Sequence, residues 1–443
     1  MKKLLALLLA CTMLLSLTAC GGGGNTDAGN NSDGEKTEIT LWTYPVGKFG
    51  DEATVKGFVA AFEAKYPDYT VKVQYLDYTN GDAQVTAAIE GKKTPDIILE
   101  GPERLVSNWG AKGLMVDLAD LWDDEALADI SKTSEAVVAA CKGADGKYYE
   151  YPFCMTTHTM AINKELFEKA GAMQYINEDR TWTVENFEKA LKAVKAYKGE
   201  GAAQVPAMVY CGGQGGDQGT RALAMNLFSA SFTNAAHNEW TMNSEAGIKG
   251  LTQLQSWAKE GLVEFNAAAV ASDELQAFAQ GTVAVSFCWN AANQSQYASQ
   301  AAFTPYPVAF PSEDGKPELC GGIWGFGIFN NGDDAKIEGA KKFIEFICDD
   351  AEQGPKSVVA TGFFPVRSSY GNPYAGTADE ERMGVFASFQ QYLGDYYNVT
   401  LGWAEQRTAW WNMLQKVGKG EDVKTVVNEY VNTCNQATKD ASK

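Results

Sequence analysis

Aromatic rings and short polar groups stand just beyond the ends of several apolar runs. Tyr44 follows Glu38–Trp42; Glu100, Glu103 and Arg104 follow Asp96–Leu99; Tyr210 lies near the end of Pro206–Cys211, ahead of Gly212–Gly216 and Asp217. Trp289 and Asn290 follow Thr282–Phe287, Trp324 comes just after Gly321-Gly322, and Trp403 precedes Arg407. If the runs are strands of open parallel sheets, Tyr44, Glu100, Glu103, Arg104, Tyr210, Asp217, Trp289 and Asn290 sit beyond the carboxyl ends, where ligands bind in such sheets. Trp324 stands within the strand-like run Gly321–Phe329, and Trp403 ahead of a helix. Flat rings beside a few fixed polar groups suit a solute with apolar CH faces and hydroxyl edges, which is the chemistry of a sugar. Covering about 80 Å² of apolar face yields about 2 kcal/mol at roughly 25 cal/mol per Å². Two or three rings would then supply most of a useful affinity. The alternative for each tryptophan is core packing, and for Glu100 and Arg104 a solvated loop.

Other chemistries find less support. There is no Cys-x-x-Cys pair or Cys/His cluster, and His158 and His237 are the only histidines, so no metal site is expected. The Gly212–Gly216 loop could cradle phosphate, but it lacks the Gly-Lys-Ser/Thr ending of a P-loop. Nothing in the spacing marks two carboxylates facing each other across a scissile bond, so a glycoside hydrolase is the weaker reading and no catalytic residue or cofactor is assigned.

The elements that must hold these residues alternate. A strand Glu38–Trp42 is followed by a helix with Val55, Phe58, Val59, Phe62 and Tyr66 on one face, a strand Thr70–Tyr75, a helix Gln84–Glu90 and a buried strand Asp96–Leu99. This β-α-β-α-β order predicts an α/β fold with a parallel sheet. After Tyr148–Phe153, taken as a crossing between lobes, the pattern restarts with a strand Met155–Ile162, a helix Lys164–Ala170 and a helix capped by Thr183. Helices Ala246–Glu260, Ser272–Gln280, Ile337–Cys348, Thr408–Val417 and Val423–Thr438 complete the reading. Trp42 and Trp182 read as structural.

The N-terminus sets the compartment. Lys2 and Lys3 precede an apolar run Leu4–Leu17, too short to span a bilayer, and then Thr18-Ala19-Cys20. Leu17-Thr18-Ala19-Cys20 looks like a lipobox, which makes Cys20 the acylated N-terminus of a membrane-anchored protein, and residues 21–36 an unpacked polar tether. The net charge of −19 grows more negative by two when Lys2 and Lys3 leave, which disfavours nucleic acid and anionic lipid as partners. The remaining folded length favours two lobes over one core. Seven cysteines remain after Cys11 and Cys20, an odd number, so at least one stays a free thiol.

Read in order, Ile39–Trp42, Phe62–Pro67, Gly91–Ile98, Gly146–Tyr148 with Pro152-Phe153, Ile162–Phe167, Thr181–Thr183, Phe278–Ala284, Gly321-Gly322 and Gly362–Arg367 resemble the family 1 extracellular solute-binding proteins, the maltose-binding-like sugar receptors of ABC importers. The resemblance implies a two-lobed, periplasmic-binding-protein-like (type II) α/β fold with a hinge and an interlobe cleft. It places residues 37–148 and about 318–348 in lobe one, and 149–317 with about 349–443 in lobe two. It implies a monomeric, non-enzymatic receptor that passes a sugar or oligosaccharide to permease subunits. Trp289 and Trp403 match stacking tryptophans of such receptors, and Glu100 and Arg104 fall in register with a loop whose charged residues bind sugar hydroxyls. A receptor for a peptide or a polyamine is the alternative within the class.

Overall fold

The computed structural model describes residues 36–78, 80–213 and 215–442. The leader, Cys20 and the tether up to residue 35 lie outside the described residues. Two sheets organise the rest. Strands β1 (Thr37–Thr43), β2 (Tyr69–Tyr75), β3 (Ile97–Glu100), β4 (Tyr151–Thr157), β10 (Gly321–Ile328) and β11 (Phe364–Pro365) form one, in the order β11-β4-β10-β3-β1-β2. Strands β5 (Thr159–Asn163), β6 (Val205–Tyr210), β7 (Val263–Asn266), β8 (Val283–Trp289) and β9 (Pro305–Val308) form the other, in the order β7-β6-β8-β5-β9. Each sheet has a parallel part, β2-β1-β3 or β7-β6-β8, extended by antiparallel strands.

Local chemistry explains the first sheet. In the Thr94-Pro95-Asp96-Ile97-Ile98 run, the Asp96 carboxylate accepts from the backbone N–H and the hydroxyl of Thr40 at 2.8 and 2.9 Å, and the Asp96 N–H donates back to Thr40 Oγ1 at 2.8 Å. That clasp fixes β3 against β1. The helix Glu52–Lys65 turns Phe62 onto Phe343 of the helix Asp334–Cys348, with ring centroids 5.2 Å apart, and Phe343, Ile344 and Ile347 are fully buried as their spacing predicts. Behind the second sheet the helix Val184–Ala196 is capped by the Thr183 hydroxyl, which accepts from Asn186 N–H. Trp182 is buried beside it and donates its indole N–H to the Ala309 carbonyl at 2.8 Å.

The structure differs from the sequence reading at the crossings. Tyr151–Phe153 do not leave the first sheet: Phe153 packs 5.1 Å from Phe49 and 5.6 Å from Phe326, and Tyr151 donates its hydroxyl to Asp349. The chain passes to the second sheet at His158, between β4 and β5. The expected strand Met155–Ile162 is therefore two strands in two sheets. Every residue from Tyr151 to Asn163 is buried and no glycine or proline marks the joint, which hid it. The placement of 349 onward in lobe two also needs correction, because β11 pairs with β4 in the first sheet. The helices Trp403–Gly418 and Val423–Ala441 do pack with the second sheet's helices, and Trp410 donates to Thr220 Oγ1 at 3.0 Å.

Candidate functional site

Between the sheets lies a cavity of about 320 Å³. The first sheet and its loops line it with Tyr78, Glu100, Glu103, Arg104 and Gly322–Trp324; the second lines it with Asp217, Val270–Ser272, Cys288, Asn290 and Asn293. The C-terminal stretch adds Tyr396, Trp403 and Arg407, and His158 stands at the passage between sheets. A larger groove of about 700 Å³ runs over the outer faces of the last two helices, bridged by Lys416 and Glu429 at 2.6 Å. It gathers no buried charged groups, so the interlobe cavity is the candidate site.

On the first-sheet wall β3 ends on Glu100, and the short helix after it carries Arg104. Arg104 bonds Glu100 Oε1 and reaches Asp82 with Nε and Nη2 at 2.8 and 3.0 Å, a two-pronged pairing that suits the planar guanidinium. Glu100 Oε2 is buried with no hydrogen-bond partner among the described residues. Burial pushes the Glu100 carboxyl up to about 7; Arg104 opposes the shift, while Glu103 and Asp82 add to it. Glu103 is raised too, chiefly by burial, and its Oε2 accepts from the Tyr396 hydroxyl at 2.8 Å. For Asp82, whose side chain is about half exposed, partial desolvation favours the neutral acid, but the Arg104 hydrogen bond and charge outweigh it and hold the carboxyl below its ordinary range.

Trp324 enters from β10, where the register shifts between Trp324 and Gly325; such bulges re-aim side chains. One side of its ring stacks on Phe363 at 4.8 Å and 7°. The ring also lies over Gly322, where an added Cβ would come 2.3 Å from Trp324 Cη2. The double glycine thus makes room for the tryptophan.

On the second-sheet wall, Gly216 adopts φ 85° and starts the helix Asp217–Asn226; its carbonyl accepts from the Tyr210 hydroxyl at 2.5 Å. Asp217 Oδ2 accepts from Arg221 Nε at 2.7 Å, and Oδ1 lies 3.6 Å from Arg407 Nε. The Arg221 guanidinium is fully buried among the rings of Phe232, Trp410, Trp240 and Tyr397, 5.1 to 5.8 Å from their centroids. Asn290 caps the helix Ala291–Tyr297 by accepting from Asn293 N–H at 2.9 Å. Trp403 has the guanidiniums of Arg104 and Arg407 at 5.1 and 4.7 Å from its ring, and its buried Nε1 has no partner among the described residues.

Of the residues singled out from sequence, Glu100, Arg104, Asp217, Asn290, Trp324 and Trp403 meet at the cavity, and three do not. Trp289 is fully buried: β8 runs through it, so it points opposite to Cys288 and Asn290, packing on Phe278 at 5.2 Å and donating to Gln294. The expected strand end at Phe287 came two residues too early. Tyr44 lies one layer behind, its ring stacked on Tyr78 at 5.1 Å and its hydroxyl bonded to Asp82. Tyr210 is a buried prop for Gly216. Sequence reasoning passed over Tyr78, Tyr396 and His158. For His158 there was a signal, a lone imidazole inside an otherwise apolar and threonine-rich run.

His158 is about nine-tenths buried, Nε2 has no partner among the described residues, and burial pushes its pKa down to about 4 against the pull of Asp217. It is neutral near pH 7. Among the described residues no group of three or more metal-ligating side chains forms, and no helix is long and apolar enough to cross a membrane. The seven described cysteines are buried and unbridged.

Comparison with known proteins agrees with this architecture. An ABC substrate-binding protein of Listeria monocytogenes, solved with cycloalternan, superposes with a TM-score of 0.70 at 20% identity, covering 90% of this chain and 98% of that one. The GacH receptor of Streptomyces glaucescens, solved unliganded and with acarbose, gives 0.72 at 17% identity over 92% and 99%. The sugar-binding protein MalE of Xanthomonas citri gives 0.71 at 17% identity over 91% and 98%. At these identities the superpositions show a shared fold and nothing finer. The family model described as bacterial extracellular solute-binding protein matches residues 57–384, and the chain belongs to that family.

Proposed function

We propose that this protein is a lipid-anchored receptor that captures a neutral carbohydrate in the interlobe cavity and delivers it to an ABC importer, without chemical turnover. One observation carries the reading. Glu100, His158 and Trp403, from one wall, the passage and the other wall, line the same cavity, and Glu100 Oε2, His158 Nε2 and Trp403 Nε1 are buried with no partner among the described residues. A buried polar atom left unpaired costs about 1–3 kcal/mol. A polyol supplies donors and acceptors together and can satisfy an acceptor, an imidazole and an indole N–H at once, while the Trp324 face covers its CH groups.

Supporting this, the similar structures named above include receptors solved with cycloalternan and acarbose and a sugar-binding protein. A volume of about 320 Å³ is at the small end of ligand pockets, which favours one or two sugar rings. A polyamine is disfavoured, since Glu100, Glu103 and Asp217 are already engaged by Arg104, Tyr396 and Arg221. Anchoring rests on the Leu17–Cys20 motif, and residues 158 and about 310–320 serve as crossings for hinge closure.

A thermal-shift screen of neutral sugars, peptides and polyamines tests the assignment, because a ligand bound only by the folded state raises the melting temperature. At least one sugar should stabilise the protein and be recovered unchanged. Stabilisation by a peptide or polyamine and by no sugar would overturn it.

A further inference from the structure

We infer that His158 is itself a ligand contact, its Nε2 taking a hydroxyl of the bound carbohydrate at the point where the chain passes between the sheets. The inference rests on the carbohydrate reading. Three observations support it. The ring lines the cavity, is about nine-tenths buried, and its Nε2 has no partner among the described residues. The main chain on which it stands is fixed: His158 N–H donates to the Cys320 carbonyl at 2.9 Å, joining the first passage between sheets to the segment that returns into β10. The imidazole is neutral, so Nε2 is a donor in one tautomer and an acceptor in the other, and a hydroxyl, which can both donate and accept, matches it in either.

This position gives the contact a second consequence. A hydroxyl held by His158 is bonded to the crossing itself, not to either wall, so the same bond that selects the ligand sits where the lobes hinge. A ligand lacking that hydroxyl leaves the imidazole buried and unsatisfied, and discrimination of this kind exceeds what an apolar pocket achieves.

The test uses the mature protein and glucose, galactose, mannose, maltose, cellobiose and lactose, carrying forward the tightest binder and its monodeoxy analogues. His158→Phe should weaken that sugar by roughly 5- to 30-fold, as expected for one lost hydrogen bond and an unpaired group. One deoxy analogue should suffer a similar loss on the natural protein and little further loss on His158→Phe. His158→Gln, whose amide reaches the Nε2 position, should restore part of the affinity. Because the chain has two histidines, imidazole nitrogen NMR reads the contact directly: the His158 Nε2 resonance should shift at saturation, while His237, paired with Asp395, should not. An unshifted His158 Nε2, or His158→Phe binding within twofold of the natural protein, overturns this inference and leaves the carbohydrate reading intact. If His158→Phe does not fold, the NMR titration decides. If the natural protein binds none of these sugars, both fall.

Discussion

The two walls of the cavity hold their carboxylates in different ways. On the second-sheet wall, Asp217 is fixed from behind by Arg221, which is fully buried in a box of four rings and does not line the cavity. On the first-sheet wall, Glu100 shares Arg104 with Asp82, whose side chain is 54% exposed, and keeps one buried oxygen unpaired among the described residues. The first arrangement is a scaffold whose ion pair is complete before any ligand arrives. The second leaves a carboxyl whose protonation a ligand can still change. Shape and charge tuning are thus assigned to opposite walls.

The contrast can be broken by substitution, most severely at Arg221. Arg221→Met leaves Asp217 buried with its main partner gone, and should cost about 3–5 kcal/mol of folding stability in urea denaturation. Asp82→Asn on the other wall should cost about 1 kcal/mol or less, because Asp82 faces water. Equal losses would mean that the walls are built alike. Trp324→Ala should weaken sugar binding by about 2 kcal/mol in calorimetry, from the apolar area uncovered, with a smaller effect on stability. Trp289→Ala should do the reverse, costing about 3–5 kcal/mol of stability by opening a core cavity.

The smallest effect concerns pH. The folded protein holds the Glu100 proton more tightly than the unfolded chain does, whose carboxyl titrates near 4.5. Stability from this group is therefore complete below about 4.5 and is lost as pH rises through about 7. Glu103, raised by burial, and Glu274, pushed up to about 8, slope the same way. Glu100→Gln should flatten the stability profile between pH 4.5 and 7 without abolishing its slope; an unchanged profile would place Glu100 outside the titrating set.

Much of this was legible from residue patterns, and the failures share a cause. Helix faces such as Phe343, Ile344 and Ile347 were readable because their spacing is set by the helix itself. Glu100, Arg104 and Asp217 were readable because they follow strands, and strand ends face the cleft. Trp289 was misplaced because β8 runs two residues past the expected end at Phe287, so a residue expected beyond the strand lies within it, on the face opposite Cys288 and Asn290. His158 was missed for a different reason: both sheets demand burial, and a run buried on both sides of a junction carries no mark of it. Tyr78 and Tyr396 come from loops whose approach to the site depends on the whole fold.

The strand order has a consequence for how the chain acquires its shape. All five strands of the second sheet come from residues 159–308, one uninterrupted stretch. The first sheet, begun at residue 37, cannot place β4 until β10 at 321–328 exists to lie between it and β3. During synthesis or after export, β1–β3 must therefore wait, with one side of β3 open, through the production of an entire second sheet. Pairings across such a separation form slowly, and an open strand edge is prone to joining another molecule. Kinetically, the lobe that begins first finishes last.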